Sequence, residues 1–180
     1  MCMLGNGRPF MLEFVNPRVH VTIEQCQSLE EKINSSTELV AVSQLTVVGK
    51  KAQSILKEGE EEKRKHYCAL VWCSQGVTEQ VLDTLNDRPE FSIAQKTPIR
   101  VLHRRSAATR DRVIYSMRGE LVDANHFYLH LVTPAGTYIK EFVHGDFGRT
   151  VPNMCELLSQ DVDILTLDVM EIGLEWPPTL

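Results

Sequence analysis

A chain of 180 residues with 43% hydrophobic residues can bury a core without disulfide bonds or a structural metal. It has no run of 18 apolar residues, and its start lacks the charged and apolar regions of a signal peptide. Neither a membrane span nor a secretory signal is therefore predicted. Five scattered cysteines favour reduced thiols in an intracellular protein of the nucleus, the cytoplasm or both.

Helix and strand patterns alternate irregularly along the chain. Its first part contains extended chain at 11–21 with a turn at Asn16-Pro17, a helix with a Thr22–Gln25 capping box, a strand at 39–48, a helix at 50–59 and a charged loop or frayed helix end at 59–65. The central part contains a strand at 66–73, a helix at 77–86 capped by Thr78, and strands at 91–95, 100–106, 111–122 and 126–133. Helices at 137–145 and 153–160 and a strand at 164–176 follow. The pattern predicts an α+β fold with a mixed, mostly antiparallel sheet in one domain over residues 1–180.

Positive charge is concentrated in one stretch of an otherwise acidic chain. The basic segment, residues 96–112, has six lysines and arginines against one aspartate, a charge of +5 in a protein of net charge −5. The rest of the chain therefore carries −10, and a partner responds to the local potential rather than to the net value. Two interpretations are equally favoured: a solvated strand face, or a loop that follows phosphates.

The familiar signatures of hydrolases and nucleotide-binding enzymes are missing from the sequence. It contains no G-x-S-x-G, no P-loop and no G-x-G-x-x-G after a strand. Its six histidines do not share metal-ligand spacing, and Cys68 and Cys73 are better explained as core residues of a strand. We therefore predict neither a metal ion nor a cofactor.

The stretch "HLVTPAGTYIKEF" predicts a strand, a tight turn and the start of a helix. Thr137 is a candidate cap, which would leave the tips of Tyr138 and Lys140 exposed on the first turn. A cation is unfavourable at a helix N-terminus, so a carboxylate or phosphate is expected beside Lys140. With Tyr67 on a strand after basic residues, the aromatics could form a stacking platform for an unpaired base. The alternative for the pair on the first turn is that Tyr138 packs on the core and Lys140 is solvated.

Three stretches, "MLGNGRPF", "KTPIRVLHRR" and "TPAGTYIKEFVHGDFGRT", resemble the archaeal and eukaryotic tRNA pseudouridine synthases that act in the T arm, at tRNA positions 54 and 55. The resemblance covers essentially the whole chain. It implies the pseudouridine synthase fold around a central cleft, a tRNA substrate, no cofactor and, we expect, a monomer. The implied reaction breaks the glycosidic bond of a uridine, turns the base and rejoins it through carbon 5.

The resemblance also assigns roles to individual residues. Tyr67 matches the tyrosine that stacks on the uracil, Lys140 the basic partner of a catalytic aspartate, and Leu157 the leucine under the target base. Residues 95–105 resemble a thumb loop that clamps the RNA backbone. The residues expected to bind RNA are Lys96, Arg100, His103, Arg104, Arg105, Arg110 and Tyr138.

One family motif is missing from this sequence. The catalytic aspartate of the family lies in a G-R-x-D segment just before the "MLGNGRPF" motif, and no such segment occurs here. Asp146, in "HGDFG", belongs to the family pattern in its own right and is not a substitute. We therefore expect an N-terminally truncated catalytic domain that also lacks an accessory RNA-binding domain. The alternative is a non-catalytic RNA-binding module on the same fold.

Overall fold

The protein is described by a computed structural model that covers residues 7–62, 64–174 and 176–178. Its contacts divide the chain into two compact units. One comprises Met1–Gly7 and Glu60–Gly173, and the other Arg8–Gly59 and Leu174–Leu180. The prediction of one domain over the whole chain stays a prediction. Half of the "MLGNGRPF" motif, residues 3–6, lies outside the described residues.

The first helix of the smaller unit has the cap that the sequence predicts. Helix α1, Ile23–Ser36, follows Thr22, and the side chains of Thr22 and Gln25 each accept a hydrogen bond from the other's backbone N–H, at 3.3 and 2.9 Å. Helix α2, Lys51–Glu62, also forms, but the predicted stop at Gly59 is wrong, because the helix continues to Glu62. Residues 59–62 are therefore the end of a helix and not a loop.

The strand predicted at 39–48 is wrong, because this segment has no regular secondary structure. Side chains of α1 bind its backbone instead. The Asn34 amide accepts from the Val42 N–H and donates to the Val42 carbonyl, both at 2.8 Å, and Glu30 accepts from the N–H of Leu45 at 2.9 Å. These bonds satisfy backbone groups that a strand would give to a neighbouring strand.

The larger unit contains two sheets in which every recorded strand pairing is antiparallel. The strands are β1 Lys65–Cys73, β2 Phe91–Lys96, β3 Thr109–Ile114, β4 Ser116–Leu121, β5 His126–Thr133, β6 Thr150–Val151 and β7 Val162–Ile172. The four-stranded sheet has the order β4-β5-β1-β7, and the three-stranded sheet has the order β3-β2-β6. The helices are α3 Glu79–Asn86, capped by Thr78 as predicted, α4 Ile139–His144 and α5 Met154–Leu158. The α+β class and the predominance of antiparallel pairing are confirmed.

Two predicted strands differ in the structure. The segment 111–122 is not one strand, because the chain passes from one sheet to the other at Tyr115, whose N–H donates to the carbonyl of Val132 at 2.9 Å. The segment 100–106 is not a strand either. It begins with a short 3-10 helix at Ile99–Val101, and the N–H groups of Arg104 and Arg105 both donate to the Val101 carbonyl.

The core lies against one face of the four-stranded sheet, where alternate residues of β1 and β5 point inward. Phe127, Leu129 and Cys73 are fully buried there, together with Phe142 from α4. Cys68 lies on the opposite face and is only half-buried, so only Cys73 fills the core as expected. The four cysteines in the described residues are unpaired thiols, and Cys2 lies outside them.

Within the described residues, no helix combines the length and the apolar character needed to cross a bilayer.

Candidate active site

The junction between β5 and α4 is the tight turn that the sequence predicts, but the helix cap differs from the expected one. Gly136 has a φ of 77°, a left-handed conformation that favours glycine. The Thr137 hydroxyl donates to the carbonyl of Pro134 at 2.8 Å, so it closes the turn and does not cap the helix. The N-cap residue is Tyr138, which makes no side-chain capping bond. The predicted Thr137 cap is therefore wrong.

A buried glutamine fixes the first residue of this helix. The Gln95 side chain, 2% exposed on β2, accepts from the Tyr138 N–H and donates to the Tyr138 carbonyl, both at 3.0 Å. Its amide nitrogen is also 3.4 Å from the Thr150 hydroxyl. Because the two bonds to Tyr138 resemble a pair in a β-ladder, Gln95 joins the start of α4 to the three-stranded sheet.

Arg100 and Glu141 form an ion pair beside Tyr138. Glu141 is 2% exposed, and its Oε1 lies 2.6 Å from Nε of Arg100. The hydrogen bond to Glu141 raises the pKa of the Arg100 guanidinium, which also lies 5.8 Å from the centre of the Tyr138 ring. A buried carboxylate is stable only when it is paired, so this contact ties the basic segment to α4.

Lys140 is exposed on the first turn of α4, between the buried residues Ile139 and Glu141. Its neighbour in the chain, Glu141, is not the acidic group expected beside Lys140, because the Glu141 carboxylate binds Arg100. Among the residues that the structure describes, Lys140 forms no ion pair within 4 Å. The site therefore presents an ammonium group to solvent from a backbone that Gln95 and Arg100 hold in place.

The predicted RNA-binding residues of the basic segment fall into two groups. Lys96, His103, Arg104 and Arg105 are exposed. Arg100, whose side chain is also exposed at 53%, is bound to Glu141, and half-buried Arg110 donates to the hydroxyl of buried Thr97 at 3.1 Å. The second group therefore fixes the shape of the segment, and the guanidinium of Arg100 remains accessible to solvent as well.

Tyr67 and Leu157 lie deeper than the other predicted site residues. Tyr67 is 7% exposed on β1, opposite Leu131 on β5 and Val169 on β7, and burial raises the pKa of its phenol. Leu157 on α5 is half-buried and packs against the same core. The stacking roles assigned to both residues by resemblance stay predictions. A phenol with a raised pKa remains protonated at neutral pH.

Sequence reasoning did not find the partners that hold the site. From the sequence, Gln95 is only the first residue of the stretch that resembles a thumb loop, with no role of its own. Its inward position could have been read from alternation with Ile93, which is also buried. Glu141 could have been found from its place among Ile139, Phe142 and Val143, which form the buried face of α4.

Among the described residues, no three His, Cys, Asp or Glu side chains are grouped so that they could hold a metal ion.

In fold the chain is similar to a chain of the crystal structure of a Cbf5–Nop10–Gar1 complex, with a TM-score of 0.50 and 19% identity, over 68% of this chain and 34% of that one. Residues 1–173 match the sequence model of the family described as "Pus10, C-terminal". The chain therefore belongs to the Pus10 C-terminal family, as the sequence motifs predict.

Curated relatives agree with this assignment. The chain is 52% identical over 178 residues to the human tRNA pseudouridine synthase Pus10, covering 98% of this chain and 34% of that protein. It is 39% identical over 171 residues to the protein of the same name from Pyrococcus furiosus, covering 94% of this chain and 43% of that protein. The chain thus spans between a third and a half of the length of these relatives.

Proposed function

We propose that this chain is the catalytic-domain portion of an enzyme that isomerises uridine to pseudouridine in the T arm of tRNA. Position 55 is the preferred target and position 54 the second candidate. The observation that carries the proposal is the solvent-facing ammonium of Lys140 on a rigid backbone, in a chain of the pseudouridine synthase family. The protein acts as a monomer in the nucleus, the cytoplasm or both.

The proposed isomerisation needs a carboxylate that stays ionised next to the target base. A cation at short range lowers the pKa of a carboxyl group, and Lys140 supplies that cation. Neither the buried Glu141, which is bound to Arg100, nor the buried Asp146, which accepts from the Ile99 N–H, is placed for this task. The reaction breaks the bond from the ribose to nitrogen 1 of the base and forms one to carbon 5, while carbon 5 loses a proton and nitrogen 1 gains one. The overall change is therefore redox-neutral and consumes no external reductant.

Tyr67 and Leu157 form the floor for the target base. A protonated phenol offers a flat ring and one hydroxyl without a charge, which suits stacking on a neutral uracil. Removing a base from its stack costs only a few kcal/mol, so phosphate contacts can offset it. The exposed cations Lys96, Arg104 and Arg105 supply those contacts.

A second candidate is an RNA-binding module that does not catalyse. It is favoured by one observation on the described residues: the buried carboxylates nearest to Lys140 in the chain are already bound, Glu141 to Arg100 and Asp146 to the Ile99 N–H. This candidate keeps the base platform and the phosphate contacts but has no group that can take the aspartate's part in breaking the glycosidic bond.

The two candidates are separated by carbodiimide-based pseudouridine mapping on a tRNA transcript. One reaction contains the 180-residue chain, and the other a chain extended by the family's G-R-x-D segment in front of the "MLGNGRPF" motif. We expect both to bind the T arm and only the extended chain to form pseudouridine. In the extended chain, Lys140→Met should abolish turnover, whereas Lys140→Arg should retain part of it.

Other results would contradict the proposal. Pseudouridine formed by the 180-residue chain alone would show that the catalytic acid lies elsewhere in this sequence. An extended chain that binds RNA but stays inactive would favour the non-catalytic module. Full activity of Lys140→Met would remove Lys140 from the mechanism.

A further inference from the structure

The loop that follows α4 holds an aromatic side chain in solvent. Phe147 is 95% exposed. It lies in the Phe147 loop, Gly145–Gly148, whose four residues all have left-handed backbone, with φ values of 78°, 47°, 57° and 78°. This conformation is unfavourable for Asp146 and Phe147, because both have a Cβ. A loop keeps such backbone only where surrounding contacts fix it.

Those contacts involve Asp146, which is 7% exposed. Its carboxylate accepts from the N–H of Ile99 at 3.1 Å, and its own N–H donates to Nδ1 of His144 at 3.1 Å. The N–H of Arg149 donates to the carbonyls of Gly145 and Asp146, which closes the loop. The residues on either side of Phe147 are therefore fixed, whereas its ring is in solvent.

The same contacts join the Phe147 loop to the basic segment. Besides the bond from Ile99 to Asp146, the Lys96 N–H donates to the carbonyl of Arg149 at 2.9 Å, and the Arg149 guanidinium donates to the carbonyl of Thr97 at 2.7 Å. The exposed ring and the exposed cations thus belong to one hydrogen-bonded framework. Sites that bind unpaired nucleic acid combine these two kinds of side chain. Bases stack on the aromatic ring, and the cations neutralise the phosphates.

The negative charge of a cleft next to the ring indicates how a bound RNA strand would lie. Phe147 lines an open cleft of about 880 Å³, and the same cleft is lined by Glu156, Asp161 and Asp163. These carboxylates repel phosphate but can accept hydrogen bonds from the N–H groups of a base. The phosphates would therefore follow the basic segment, and the base would lie on the cleft side.

We propose that Phe147 stacks on an unpaired base of the bound RNA, as a second base-binding position besides the Tyr67 platform. This inference rests on the proposed function, since it takes RNA as the ligand. A protein partner fits less well, because a protein interface needs roughly 800 Å² on each side and the Phe147 loop offers one large apolar side chain between glycines and an aspartate.

The test measures binding of the 180-residue chain to two RNAs, a T-arm stem-loop and a fully paired duplex of equal length, over a range of salt. Phe147→Ala should weaken binding of the stem-loop by roughly 5- to 100-fold and leave duplex binding unchanged, because only the loop offers unpaired bases. Its salt slope should equal that of the wild type, because no phosphate contact is lost. Leu165→Ala on β7, where the side chain is 54% exposed, is the matched control and should change nothing.

Two further variants complete the design. Phe147→Trp should bind the stem-loop as tightly as the wild type. The fluorescence of the new tryptophan, obtained by subtracting the wild-type signal of Trp72 and Trp176, should be quenched by the stem-loop. Arg104→Ala with Arg105→Ala reports on the proposed function, since it should reduce the salt slope for both RNAs.

The outcomes distinguish the two proposals. If the wild type binds with a salt slope that the arginine variant reduces, but Phe147→Ala binds as tightly as the wild type, the inference is overturned and the proposed function stands. An equal loss of stem-loop and duplex binding in Phe147→Ala also overturns it, because base stacking cannot explain that result. No binding of either RNA by the wild type overturns both proposals.

Discussion

Replacing Gln95 with leucine should destabilise the larger unit and displace the start of α4. The variant removes the acceptor of the Tyr138 N–H, and an orphaned part-buried donor costs about 1–3 kcal/mol. The Tyr138 carbonyl keeps its helical bond from the Phe142 N–H, so the second lost bond costs only about 1 kcal/mol. Together the loss in the free energy of unfolding is about 2–4 kcal/mol.

Urea unfolding followed by fluorescence measures this loss. A Trp176→Phe background leaves Trp72 of β1 as the reporter of the larger unit. The midpoint should fall while the dependence on urea stays unchanged. Gln80→Leu, the same change at an exposed site of α3, is the control and should stay within about 0.5 kcal/mol of the background.

A second variant tests the direction of each bond. In Gln95→Glu the carboxylate still accepts from the Tyr138 N–H, but it faces the Tyr138 carbonyl without a proton to donate. Burial raises the pKa of a carboxyl group, so the folded state binds the proton more tightly than the unfolded state. The free energy of unfolding of Gln95→Glu should therefore approach that of the protein with Gln95 as the pH falls. It should decrease again as the pH rises and the carboxyl group ionises. Equal midpoints for Gln95→Leu and its background would refute the reasoning.

The remaining predictions concern a site tyrosine, a strained glycine and a buried thiol. In an extended chain that carries the aspartate, Tyr67→Phe should keep RNA binding but lose most turnover, and Tyr67→Leu should weaken binding further by about 1–3 kcal/mol, as titrations with T-arm RNA would show. Gly145→Ala should destabilise more than Gly148→Ala in urea unfolding. Both have a φ of 78°, but only at Gly145 would a Cβ meet another side chain, that of Asn153, at 2.9 Å. Cys73, whose pKa burial raises to about 11, should resist alkylation of the native protein at pH 8, whereas rapid labelling would contradict its burial.

The sequence by itself determined the elements that depend on local chemistry. The Thr22 capping box needs only residues three apart, and the strand at 66–73 follows from a run of β-forming residues. The family could also be identified from the sequence, because the residues of each of its motifs are contiguous in the chain. The concentration of cations at residues 96–112 needed no structure either.

Only the tertiary structure decided which groups satisfy one another across the fold. Gln95 binds the backbone of a residue 43 positions away, and Arg100 binds a carboxylate 41 positions away. No periodicity reports such pairs, because periodicity records which face is apolar and not what lies against it. The segment 39–48 shows the same limit. Its alternation fits a strand, but its backbone groups at Val42 and Leu45 bind side chains of α1 and not a neighbouring strand.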